Sequence, residues 1–193
     1  MAYQKFDVKK LERLNDPGRF ETLPPEVMWA ALGRPSAGTV VEIGAGTALF
    51  ATAFASKSPG ATFYVVDTED TMLRWIQDNR PQAAAGILVP VKARESCVPL
   101  DDSIADAVYM INLHHELAEP TATYAEAFRL LTPGGRLLVS DWAPVDSPKG
   151  PPRAVRTPAD TVVTMLCGVG FVEVCTHDGA LPYNWLITAT KAD

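Results

Sequence analysis

A chain of 193 residues with 47% hydrophobic and 21% charged side chains can bury about 70% of the surface it exposes when unfolded, which excludes a disordered tract and any need for disulfide or metal staples. Its net charge of −6, made of interspersed acids and bases, argues against long-range attraction to nucleic acid or to an anionic membrane. Cys97, Cys167 and Cys175 form no CxxC or Cys/His cluster and read as small buried hydrophobes in a reducing compartment.

The opening MAYQKFDVKKLERLND turns charged too soon for the apolar core of a signal peptide. No apolar run long enough for a membrane helix follows, so a soluble, cytoplasmic protein is expected. Residues 14–25, LNDPGRFETLPP, concentrate turn formers, and Pro24 and Pro25 open a short helix that ends near Gly33. Residues 1–36 therefore read as an arm with a lead-in helix, and residues 37–193 as one domain.

TVVEIG (39–44) predicts a first strand, and TALFATAFASKS (47–58) a helix after a glycine turn. TFYVVD (62–67) carries a second strand with a terminal acid. In EDTMLRWIQDN (69–79), Met72, Trp75 and Ile76 share one helical face. GILVPVK (86–92) predicts a third strand at a sheet edge, because Pro90 cannot donate to a ladder. A fourth strand (105–113), a helix (123–131) and a fifth strand (136–142) follow, with PGGR (133–136) as the turn into the fifth. Alternating strands and helices imply crossovers and a mainly parallel sheet covered on both faces.

Residues 143–158, APVDSPKGPPRAVRTP, form a long Pro-rich connection of the kind often found over a site. A helix (159–170), a strand (171–177), a DGALP turn and a last strand (184–191) complete the chain. The short turn pairs the last two strands antiparallel.

Gly44 and Gly46 stand between strand and helix, where a bare backbone permits a tight turn and close ligand approach. Glu42 precedes them, and Asp67 ends the next strand 21 residues after Gly46. An ionised Asp67 can accept from two vicinal ribose hydroxyls, which suits either NAD or S-adenosylmethionine. The two ligands part at Glu42. Beside a pyrophosphate it would be repulsive, whereas beside an ammonium and a sulfonium it is favourable, so the charge pattern favours the methyl donor. Nucleoside triphosphate chemistry is disfavoured, since no lysine lies between Lys10 and Lys57.

VVEIGAGTALFA, FYVVDTEDTML, VPLDDSIADAVYMINLHHEL, FRLLTPGGRLLVSDW, and GFVEV with LPYNWLITATK resemble, in content and order, the class I S-adenosylmethionine-dependent methyltransferases, in particular the small ubiquinone-biosynthesis-like members. The resemblance implies an α/β, Rossmann-like fold: a seven-stranded, mostly parallel sheet in the order 3-2-1-4-5-7-6, strand 7 antiparallel, with helices on both faces. It also implies S-adenosylmethionine at Glu42, Gly44, Ala45 and Gly46, its ribose on Asp67, and its adenine beside Thr68. Asn112 and Leu113 would pass beneath it. Two departures stand out. Ala48 replaces a frequent glycine, and KARESCVPL offers Arg94 where an acid usually meets the adenine amino group, so Glu95 is expected to serve there.

The methyl acceptor is less legible. His115 follows the fourth strand at the end where parallel sheets bind ligands and is the candidate base. Trp142 and Arg156 are candidate substrate contacts, one to stack on an acceptor and one to bind an anionic group. HHE (114–116) lacks the spacing of a zinc helix, so no metal is expected. Tyr183 and Trp185 read as packing residues. A small-molecule acceptor is expected, with no nucleic-acid or membrane partner; nothing decides between monomer and homodimer. The alternatives left open are a noncatalytic S-adenosylmethionine-binding or interaction protein and an NAD-dependent oxidoreductase.

Overall fold

The computed structural model describes residues 11–33 and 38–192. The expected join between arm and domain, at residues 36 and 37, lies outside the described residues, as do the first ten residues of the arm. The described strands are β1 (Thr39–Ile43), β2 (Thr62–Asp67), β3 (Leu88–Lys92), β4 (Ala105–Ile111), β5 (Leu131–Trp142), β6 (Phe171–Thr176) and β7 (Asn184–Lys191). They form one sheet in the order β3-β2-β1-β4-β5-β7-β6. The first five pair in parallel, and β7 runs antiparallel to both β5 and β6. The short turn before β7 leaves no room for a crossover, so β6 and β7 close as a hairpin.

Helices α1 (Leu11–Leu14) and α2 (Pro25–Leu32) precede the sheet. The crossovers carry α3 (Leu49–Ala55), α4 (Asp70–Asn79) with α5 (Pro81–Ala84), α6 (Pro120–Leu130) and α7 (Ala159–Val169). Successive strand residues alternate between the two faces. Val40, Phe63, Val65, Ala107 and Tyr109 pack under Met28, Trp29, Leu32, Phe50, Phe54 and Ile76 of α2, α3 and α4. Val41, Val66, Val108 and Met110 pack under Tyr124, Leu130, Val162 and Leu166 of α6 and α7. The lead-in helix α2 thus belongs to the main core.

Strand β5 begins at Leu131 rather than at Arg136. Leu131 pairs with Ala105 and Arg136 with Ala107, so the intervening residues bulge out of the ladder. A Cβ at Gly135 would lie 2.7 Å from the Thr132 carbonyl, which is why glycine occupies the bend. Pro90 sits on edge strand β3, as its missing N–H requires. The reading of the cysteines as buried is corrected: Cys97, Cys167 and Cys175 are all exposed, on loop, α7 and β6 positions that the sheet does not cover.

Candidate active site

The C-terminal ends of β1, β2, β4 and β5 open onto one cavity of about 650 Å³. Its first wall is the turn from β1 to α3. Gly44 has φ +76°, Gly46 φ +54° and Ala48 φ +53°, a left-handed run that only glycine adopts without cost. Gly44 N and Ala45 N both donate to the Val66 carbonyl at 2.9 Å, which fastens the turn to the end of β2. A Cβ at Gly44 would lie 2.6 Å from Leu113 Cδ1. The departure at Ala48 leaves the turn open, its buried methyl accommodated at the cost of a left-handed backbone.

Asp67 is the last residue of β2. Its Oδ2 accepts from Gly46 N at 2.8 Å and its Oδ1 from Glu69 N at 2.9 Å. The 21-residue spacing read in the sequence thus becomes a direct contact. Each carboxylate oxygen spends one lone pair on the backbone and keeps another for a ligand hydroxyl. Burial raises the Asp67 pKa, and the two backbone donors pull it partly back. Thr68 and Glu69 continue the same wall.

Glu42 is 3% exposed and stands in register with Tyr109 of β4. Burial pushes its pKa up to about 8, against the pull of the Tyr109 hydroxyl and Arg19. Neither Glu42 Oε2 nor the Tyr109 hydroxyl makes a formed hydrogen bond. A buried carboxyl with an unmatched oxygen at a cavity wall is costly unless a ligand completes it.

The far end of the cavity is made by residues after β4 and β5. His115 Nδ1 lies 2.8 Å from Asp141 Oδ1, and His115 N donates to Asp141 Oδ2 at 3.2 Å. Asp141 Oδ1 also accepts from Trp142 N at 2.6 Å. Burial lowers the His115 pKa, but the hydrogen bond and charge of Asp141, with the charge of Glu116, outweigh it and hold the imidazole above its ordinary value. Because Nδ1 is committed to Asp141, a proton that His115 accepts arrives at Nε2, 3.7 Å from Glu116 Oε1. His114 is different: buried, it pairs with the Tyr124 hydroxyl at 2.6 Å, and burial lowers its pKa.

The remaining expected residues divide. Ala45, Asn112, Leu113, Glu95 and Trp142 line the cavity. Asn112, at φ +56°, accepts from Asn184 Nδ2 at 2.6 Å, which ties the end of β4 to β7. Glu95 Oε1 accepts from Ala118 N at 2.7 Å, so part of its acceptor capacity holds the loop before α6. Arg156 is a correction. It is absent from the cavity wall and donates to the carbonyls of Pro151, Ala143 and Val145. A long Pro-rich segment has few backbone partners of its own, and this guanidinium supplies them. Trp142 is held under the same segment: Arg156 lies 5.4 Å from its ring centroid, and a Cβ at Gly150 would come within 2.9 Å of the ring.

Sequence reasoning missed several residues. Asp141, beside the end of β5, carries no sequence signal that pairs it with His115. Tyr183, read as packing, lines the cavity. Arg19 and Arg80 carried no local motif. Among the described residues no cluster of His, Cys, Asp and Glu has the makings of a metal site.

A family model described as "Methyltransferase domain" matches residues 41–139. The chain is 30% identical over 114 residues to the ubiquinone/menaquinone biosynthesis C-methyltransferase UbiE of Bordetella avium, a match covering 58% of this chain and 44% of that protein. It is 31% identical over 109 residues to a malonyl-[acyl-carrier protein] O-methyltransferase of Methylococcus capsulatus, covering 56% and 38% respectively. The match thus spans less than half the length of these curated relatives. A crystal structure of a SAM-dependent methyltransferase from Aquifex aeolicus superposes with a TM-score of 0.89 at 25% identity, covering 97% of this chain and all of that one.

Proposed function

Because the chain belongs to the class I S-adenosylmethionine-dependent methyltransferases, we propose that it transfers the methyl group to a small molecule whose oxygen or carbon nucleophile must first lose a proton. The observation that carries this reading is one cavity with two chemically different ends: Asp67, anchored by two backbone N–H groups, and the His115–Asp141 pair. When bound, S-adenosylmethionine supplies a methyl carbon activated by its sulfonium for in-line displacement.

The residues present fit that group. Asp67 offers lone pairs to a ribose diol, Glu42 an unmatched carboxylate oxygen to a cation, and Gly44, Ala45 and Gly46 a wall without bulky side chains. Thr68 and Glu95, which line the cavity, would border the adenine, and Asn112 and Leu113, which also line it, would pass beneath the cofactor. In this reading residues 37–193 form the methyl-donor-binding body and residues 1–36 its arm.

His115 acts as the base. Asp141 fixes the imidazole with Nε2 as the proton acceptor and stabilises the cation that forms. Trp142 and Tyr183 line the acceptor end. The two relatives named above are a C- and an O-methyltransferase, in keeping with a nucleophile that needs deprotonation. The cytoplasmic location expected from the sequence is part of the same reading. Among the described residues no helix is long and apolar enough to cross a membrane.

The test is transfer of label from methyl-labelled S-adenosylmethionine into a cellular metabolite extract, with the product mass determined. A labelled small product is expected. No labelled product, together with tighter calorimetric binding of NAD than of S-adenosylmethionine, would overturn the reading.

A further inference from the structure

Between the end of β4 and the 3₁₀ turn His114–Glu116 lie only Asn112 and Leu113. Asn112 has φ +56° and lines the cavity. A left-handed residue other than glycine costs free energy, although asparagine bears it better than most. What the chain gains is direction. Leu113 lands against the β1–α3 turn, where a Cβ at Gly44 would meet its Cδ1 at 2.6 Å, and His115, two residues further on, faces Asp141. One backbone reversal thus aims a residue at each end of the cavity.

Such a conformation persists where its surroundings fix it. Here the fixing group is a buried amide on another strand. Asn184, 6% exposed, opens β7 and donates from Nδ2 to Asn112 Oδ1 at 2.6 Å. Asn112 N donates to the Ser140 carbonyl of β5 at 2.8 Å, so its side chain and its backbone are held from the same side. Asn184 stands in register with Trp142, and Trp185 with Asp141, so the ladder that places Asp141 also places Asn184. Trp185 packs edge-on against His114, with ring centroids 5.9 Å apart, and buried His114 pairs with the Tyr124 hydroxyl. The first two residues of β7 therefore grip the turn that carries His115.

We infer that Asn184 is a positioning residue for both ends of the cavity: by holding Asn112 left-handed it sets Leu113 against the glycine turn and His115 against Asp141. For its methyl-donor half the inference rests on reading the cavity as the S-adenosylmethionine site. A neutral amide does this without adding a charge beside the base. The groups that bear on the titration of His115 are Asp141 of β5, Glu116 and His114 of its own turn, and Arg156 of the Pro-rich connection. Replacing Asn184 by Ala leaves all four in the chain, so a change in that titration reports alignment.

The test is NMR titration of the imidazoles in the full chain, whose three histidines are told apart by a His115→Ala reference, together with calorimetric titration of S-adenosylmethionine. Asn184→Ala should lower the His115 midpoint by about half a pH unit or more, toward the ordinary value, and weaken S-adenosylmethionine binding about 3- to 10-fold. Adding Asn112→Gly should return the midpoint to that of wild type, because glycine holds a left-handed backbone unaided. A wild-type midpoint and affinity in a less stable Asn184→Ala chain overturn the inference and make the amide a merely structural tie. A midpoint still displaced in the double variant overturns it too, since Asn184 would then act other than through the backbone at 112. Should Asn184→Ala not fold, Asn112→Ala against Asn112→Gly decides: both lose the bond, only alanine should move the midpoint, and equal midpoints overturn the inference. The imidazole titration needs no ligand. A wild-type chain that binds no S-adenosylmethionine therefore overturns the reading of the cavity, and the donor half with it, while the midpoints decide the half that concerns His115.

Discussion

The two ends of the cavity are built by different means. The β1–β2 end is mostly backbone: left-handed residues at 44, 46 and 48, two N–H groups on one carbonyl, and an aspartate held by two more. The β4–β5 end is mostly side chain: a histidine aligned by an aspartate 26 residues away, and a tryptophan pressed under a Pro-rich segment that an arginine pins. Backbone geometry tolerates few substitutions and suits a constant ligand. Side-chain geometry can be rebuilt one residue at a time and suits a variable acceptor. Under the proposed function, the difference separates recognition of a methyl donor common to a family from recognition of an acceptor particular to one chain.

Replacing His115 by Ala sharpens the contrast most. Turnover should fall about 100- to 10,000-fold, the range for a lost general base, with methyl-donor affinity nearly unchanged; steady-state kinetics with calorimetry checks both halves, and equal turnover would remove His115 from the chemistry. Since Asp141 and Glu116 hold the imidazole above its ordinary value, the neutral base appears only as pH rises through that higher value. The rising limb of the pH–rate profile should therefore lie above the ordinary histidine range, and Asp141→Asn should move it down.

Gly44→Ala attacks the backbone end. The new methyl would meet Leu113 Cδ1 at 2.6 Å, on a residue already at φ +76°. A loss of about 2–4 kcal/mol in chemical denaturation is expected. Adding Leu113→Ala should relieve the clash but not the backbone strain, so the double variant should recover only part. Full recovery would show that φ carries no cost.

Asp67→Ala should weaken S-adenosylmethionine binding by about 1.5–3 kcal/mol, the scale of hydrogen bonds to a charged group, without unfolding the domain. Unchanged affinity in a folded variant would contradict the role given to Asp67.

Glu42 gives a signed pH effect. Its folded value of about 8 lies above the ordinary carboxyl value, so folding favours the protonated form. Its contribution is full below the ordinary value and is lost as pH rises through about 8. The chain without methyl donor should lose roughly 1.4 kcal/mol of stability per pH unit from this group across that interval. Glu42→Gln should flatten the slope; identical slopes in urea denaturation from pH 5 to 8 would show that Glu42 is not titrating there.

Ala48→Gly should have the smallest effect. Relief of φ +53° opposes the loss of a buried methyl and the greater freedom of glycine when unfolded, so stability should change by less than about 1 kcal/mol. A larger gain would mean that the left-handed alanine stores strain the surrounding core does not offset.

Composition and spacing made much of the backbone end readable, because its parts are consecutive in sequence or fixed by strand ends. A glycine turn and an acid ending the next strand must meet when β1 and β2 pair in parallel, and Gly46 and Asp67 do. Pro90 on an edge strand and the closing hairpin follow from hydrogen-bonding capacity and turn length alone. The bulge at 132–135 was visible as PGGR but not as an interruption inside one longer strand, since that depends on the register adopted with β4.

By itself the sequence determined which segments become strands and helices, the position of the glycine turn, and the acids that border it, since these rest on local periodicity, turn chemistry and chain connectivity. Only the tertiary structure decided that His115 pairs with Asp141, that Arg156 spends its donors on the Pro-rich segment, and that Asn184 donates to Asn112. Those pairings join residues from separate elements. Which long polar side chain reaches which partner is set by packing and by competition among donors and acceptors in the folded chain, and that competition leaves no periodic trace in the sequence.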